Sequence, residues 1–178
     1  MFVSNEEVVY PGHGVAIIEK IVERNLAGKK PLFFQLKFIS KDMTILVPVE
    51  NAQAVGIRKL STTKFVQEIF DMLQNPLEIK PRDIAVTNWN KRHKEYQSRL
   101  MSGNLKDICQ IYRELKAIES QKELSFGEKG LLQQTEQLLV EELAQVHNIT
   151  QKDMVQKVRD LISVPISSST AKVTLKQL

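Results

Sequence analysis

The chain has 178 residues, 42% of them hydrophobic and 26% charged, which are ordinary values for a globular protein of one domain or two small ones. No apolar run approaches the roughly 20 residues of a spanning helix, and a single cysteine, Cys109, excludes an internal disulfide. The net charge of +4 is too small to imply a polyanionic partner until it is divided along the chain.

Two acids, Glu6 and Glu7, stand where an export signal would carry positive charge. We therefore expect a soluble, cytoplasmic protein with no membrane partner. From Glu7 to about Leu60 the residues are β-branched and aromatic, in short stretches broken by turn chemistry. Val8-Val9-Tyr10 stops at Pro11-Gly12-His13-Gly14, and Val15 to Val22 forms a second run. Asn25 to Lys30 reads as a hairpin loop, and Leu32 to Ile39 as a third strand. After the turn Ser40-Lys41-Asp42, Met43-Thr44-Ile45-Leu46-Val47 makes a fourth strand, ended by Pro48, which has no N–H to donate to a ladder. Four or five short strands in 60 residues predict a small, strongly bent antiparallel barrel with a docking edge.

From Ser61 the period becomes helical. Phe65, Ile69, Met72 and Leu73 mark a first helix closed by Pro76 and Pro81, and residues 75–87 read as a linker. Asn88 is placed to cap a helix from Trp89 to Met101, stopped by Ser102-Gly103. Leu105, Ile108, Cys109, Tyr112 and Leu115 stripe the next helix. Ser125-Phe126-Gly127-Glu128 is a capping box for a helix to about Val146, and Thr150 with Asp153 starts a last one ending near Ile162. The fold expected is α+β in two modules, a β module over 1–60 and an all-α helical domain over 61–162, followed by a mobile tail over 163–178.

Catalysis would need grouped nucleophiles, bases or ligands, and three scattered histidines, His13, His93 and His147, supply no metal-ligand spacing. Cys109 lies on an apolar stripe, which predicts a buried structural thiol. Gly12 and Gly14 make no phosphate loop, and Glu141-Glu142 reads as a solvated helix face. Lys106, Arg113 and Lys116 read as another wet face. We expect no enzyme, no cofactor, no metal site and no small-molecule substrate.

The Trp89 segment differs. The chain's one tryptophan opens its most basic helix, where Lys91, Arg92, Lys94 and Arg99 face only Glu95. An aromatic platform flanked by cations suits partly unstacked nucleic acid. The alternative is that Trp89, His93, Tyr96 and Leu100 form one stripe and the indole caps the core.

At this point five motifs, in order, resemble the CarD/CdnL bacterial transcription regulators. They are Val9-Tyr10-Pro11-Gly12-His13-Gly14, the run from Pro48 through Glu50-Asn51-Ala52 and Val55-Gly56-Ile57 to Arg58, Thr87-Asn88-Trp89-Asn90-Lys91-Arg92, Ser102-Gly103, and Leu124-Ser125 with Gly127-Glu128-Lys129. The resemblance covers about residues 1–162, and its first part is also similar to the polymerase-interacting module of the transcription-repair coupling factor. It implies a Tudor-like β domain that pairs an edge strand with the RNA polymerase β-subunit, and a helical domain that contacts promoter DNA. It further implies that Trp89 wedges into the minor groove at the upstream edge of the transcription bubble and stabilises the open complex. Lys94 and Lys129 match positions that hold the DNA backbone, and Lys91 and Arg92 join them as phosphate contacts from the same basic run. Arg24 matches a basic residue used toward the β-subunit. The pairing edge is Met43, Thr44, Ile45, Leu46 and Val47, with Leu46 standing where some members carry arginine. The rival expectation is a protein–protein adaptor that binds polymerase without touching DNA. Nothing in the sequence demands more than a monomer.

Overall fold

In a computed structural model, which describes residues 2–75, 77 and 89–162, a five-stranded antiparallel sheet precedes five helices. The strands are β1 (Glu7–Tyr10), β2 (Gly14–Glu23), β3 (Leu32–Phe38), β4 (Thr44–Pro48) and β5 (Arg58–Lys59), ordered β4-β3-β2-β1-β5. Each inward residue alternates with an outward one, so Val8, Ala16, Ile18, Phe34, Leu36, Phe38 and Val47 collect in one core with Ala52 and Ile57. The antiparallel β unit followed by helices is the arrangement the sequence predicts, with the ladder ending at β4 and β5.

A bulge between Ile18 and Lys20 bends β2 against β3. Beyond it the β2–β3 ribbon leaves the core and closes in a two-residue turn at Ala27-Gly28, both at positive φ, with Leu26 and Lys29 exchanging backbone hydrogen bonds. Glycine adopts that conformation freely, and Ala27 is carried along by the hairpin's twist.

The helices are α1 (Thr63–Gln74), α2 (Trp89–Met101), α3 (Leu105–Glu119), α4 (Phe126–His147) and α5 (Gln151–Leu161). Their starts are chemically marked. Thr62, Asn104, Ser125 and Thr150 each accept a backbone N–H of the first turn, and Glu128 completes the Ser125 capping box. Asn88, the cap expected for α2, and most of the expected linker lie outside the described residues, as does the tail. The helices share a second core built on Ile69, Leu73, Leu100, Ile111, Tyr112, Leu115, Leu139 and Leu143. Cys109 is fully buried in it, and burial pushes its thiol up to about 12 against the weaker opposing pull of Arg113, so it is an unreactive packing group.

The Glu141–Glu142 face expected to be wet is not, and of the other expected wet face Arg113 is enclosed while Lys106 is exposed. Glu141 and Glu142 are buried, and Arg113 is nearly so, donating to the Asn75 carbonyl and the Gln110 side chain. For the two acids the reason is shared: every residue from Leu138 to Ala144 is buried, because α4 has neighbours on all sides there. A carboxylate in such a place needs partners, and it finds them in the β unit.

Candidate nucleic-acid interface and the joint behind it

The β unit and the helices meet around Glu142. Its carboxylate accepts from Arg58 Nη1 and Nη2 at 2.7 and 2.6 Å and from the Ser61 amide and hydroxyl at 3.0 and 2.7 Å. The same guanidinium donates through Nε and Nη2 to the Gly103 carbonyl at 2.9 and 2.8 Å. One arginine thus ties β5 to the end of α2 and to the middle of the helical core. This bidentate fork places two donors on a carboxylate in one plane, a geometry lysine cannot reproduce.

Beside it, Glu141 accepts the Val15 amide at 3.2 Å, and a Cβ at Gly14 would lie 2.0 Å from its Oε2. Gly14 also sits at φ +102°, so only glycine fits both the backbone and the space. Pro11 packs on Gly103, where an added Cβ would meet it at 3.0 Å. Pro11, Gly14, Arg58 and Gly103, which carry the sequence resemblance, therefore converge on this joint.

Trp89 opens α2 at the other end of the helical unit, half-buried against its core. Its ring lies 5.1 Å from the His93 ring, with the Arg92 guanidinium 5.5 Å from its centroid. Gly127 supplies the floor: a Cβ there would stand 3.0 Å from the indole Cζ2. The indole is neither a free side chain nor a core one. It is clamped with one part packed and the rest open.

Arg92 sets that clamp. Expected on a phosphate, it is instead 12% exposed and paired with Glu128 at 2.7 Å. Glu128 is the third residue of α4 and also accepts the Ser125 amide and Lys122 Nζ. Burial would raise its pKa, but the Ser125 and Lys122 hydrogen bonds outweigh burial and hold the carboxyl below its ordinary range. It is anionic at neutral pH, which is what a buried guanidinium requires.

The remaining cations are more available. Lys91 and Lys94 are exposed and form no ion pair among the described residues, and Lys129 makes an exposed pair with Glu123. The structure thus brings Trp89, Arg92 and the start of α4, with Lys129, to one end of the molecule, with Lys91 and Lys94 on α2. Among the described residues no cluster could hold a metal, and no helix is long and apolar enough to cross a membrane.

The polymerase residues proposed from sequence lie on the β unit. Phe38 N donates to Met43 O at 3.0 Å, which fixes the phase of the β3–β4 ladder. Alternation then turns the backbone groups of Thr44 and Leu46 outward, and Pro48 ends the template. Met43 and Ile45 are half-buried, Val47 is buried, and Leu46 presents an exposed apolar side chain. Arg24 is exposed just past the end of β2.

What sequence reasoning missed is the joint. Its signal was present in Val140-Glu141-Glu142-Leu143-Ala144, where two acids are enclosed by apolar residues on both sides. Their partners lie far away along the chain, 126 residues for Val15 and 84 for Arg58, and nothing local names them.

Known proteins resemble this chain on both sides of the joint. The family model for the C-terminal domain of CarD matches residues 68–159, and that for the CarD-like/TRCF RID domain matches residues 2–61. YdeB of Bacillus subtilis (strain 168), which bears the name of a transcription factor, is 24% identical over 154 residues, covering 86% of this chain and 97% of its own. The solution NMR structure of the 72-residue N-terminal domain of Myxococcus xanthus CarD is 29% identical, covering 33% of this chain and 79% of that one, with a TM-score of 0.29. Two family matches in register, one to each side of the joint, place this chain in the CarD family of transcription factors.

Proposed function

We propose that the protein docks on the RNA polymerase β-subunit through the β4 edge and stabilises the promoter open complex through Trp89. The observation that carries the reading is the clamp: an indole held half-open by Gly127, His93 and the Arg92–Glu128 pair, beside exposed lysines. A ring fixed in advance loses little freedom on binding. It has more to gain at the unstacked upstream edge of a bubble than on intact duplex. The closed-to-open equilibrium then shifts by that difference in affinity and by nothing else.

In this reading Lys91, Lys94 and Lys129 neutralise phosphates, which positions the protein without reading sequence. Arg92 acts through the indole rather than on DNA, because its charge is already met by Glu128. Arg24 and the outward backbone of Thr44 and Leu46 face the β-subunit, with Met43, Ile45 and Val47 holding the strand on its own core. The joint supplies leverage, since the polymerase-bound sheet and the DNA-facing end are then parts of one body. The protein acts as a monomer in the cytoplasm, with no cofactor and no catalysis of its own.

The packing of Trp89 on the helical core favours a second reading, an adaptor that binds polymerase without DNA. Open-complex lifetime on one promoter, with wild type and Trp89→Ala, separates the two. The first reading expects wild type to lengthen the lifetime and the folded variant to lose that effect while still binding polymerase. An unchanged lifetime, together with a stability loss near the ~3 to 5 kcal/mol of a deleted core aromatic, returns Trp89 to the core.

A further inference from the structure

Phe126 is 95% exposed, far beyond any other large apolar residue described, the next being Val3 at 60%. A lone exposed apolar side chain needs no explanation. This one precedes Gly127, the residue beneath the Trp89 ring, and it opens α4 where Glu128 and Lys129 follow. Helical spacing puts Phe126, Lys129 and Gly130 on one face, three and four residues apart.

Gly130 adds an independent observation. A helical glycine is less stable than alanine, yet a Cβ there would meet nothing within 4 Å among the described residues. Packing among the described residues therefore does not account for its missing side chain. It leaves a bare step one turn from an exposed ring, where a backbone from outside can come close.

We propose that Phe126 is a second aromatic contact to DNA, stacking on a base at the same junction that Trp89 addresses, while a phosphate passes over Gly130 toward Lys129. The proposal rests on the reading of Trp89 as a DNA contact and extends it from one ring to two. The occupant follows from charge. The exposed groups of this end include Lys91, Lys94 and Lys129, and the acids here are largely engaged: Glu128 is buried in its pairs, and Glu123 holds Lys129 in a weak, solvent-screened pair that a phosphate can replace. Glu95 is the exposed exception on α2.

The test uses the full chain in the polymerase–promoter complex, with p-benzoylphenylalanine replacing Phe126 as a photo-crosslinker, and open-complex lifetimes for Phe126→Ala and Trp89→Ala. We expect a crosslink to a promoter strand at the upstream end of the bubble. Phe126→Ala should keep an unchanged thermal midpoint and shorten the lifetime about fivefold, the low end of what one base–aromatic stack contributes. A crosslink to a polymerase subunit instead, or a wild-type lifetime for Phe126→Ala while Trp89→Ala shortens it, overturns the proposal and leaves the Trp89 reading standing. If Trp89→Ala also leaves the lifetime unchanged, both fall together.

Discussion

Helix α4 carries two buried carboxylates that each take an arginine from another element, Glu128 with Arg92 at 2.7 Å and Glu142 with Arg58 at 2.6 Å. The chemistry is the same and the outcome is opposite. Around Glu142 the arginine finds further acceptors in Gly103 and Lys59, Ser61 joins, and the site closes into a joint between sheet and helices. Around Glu128 the pair lies beneath a half-open indole, and Arg92 Nε has no hydrogen-bond partner among the described residues. A buried ion pair is therefore not a functional signal by itself. What it holds, another module or an aromatic ring at the surface, decides its role.

The largest effect belongs to the joint. Arg58→Ala leaves Glu142 charged and buried with only Ser61, and we expect a loss of about 3 to 5 kcal/mol in denaturant unfolding, with polymerase-dependent activity falling because the two modules no longer move together. If stability survives intact, the joint is not what welds the molecule.

At the other end the loss should be smaller and local. Glu128→Gln keeps an acceptor for the Ser125 amide but leaves Arg92 without its counter-charge, at a cost of about 1 to 3 kcal/mol. The chain has one tryptophan, so its fluorescence reports on this clamp directly. We expect greater exposure of the indole in the variant.

The same variant gives a pH signature. Because the Glu128 carboxyl is held below its ordinary value of 4.5, the stability it contributes is fully present above that value and is lost as pH falls through and below it. The stability gap between wild type and Glu128→Gln should be full at neutral pH and shrink below about 4.5. A gap independent of pH would mean that the ion pair is not its source. The smallest effect belongs to Lys129→Ala, whose exposed pair with Glu123 is screened by water, so the thermal midpoint should stay unchanged while the DNA-dependent lifetime and its salt sensitivity weaken.

The β strands, the five described helices and the capped helix starts were legible because each rests on residues within a turn or two of one another: Ser125 on Glu128, Thr150 on Asp153, Ala27-Gly28 between two alternating runs. Trp89 and its lysines were legible for the same reason, as neighbours on one helix. Tertiary structure alone decided what Glu141, Glu142, Arg92 and Arg113 do. A charged residue's sequence context does not say whether it meets water or a partner 36 or 84 residues away, and only the packing of α2, α4 and β5 around one another settles that balance between hydration and pairing.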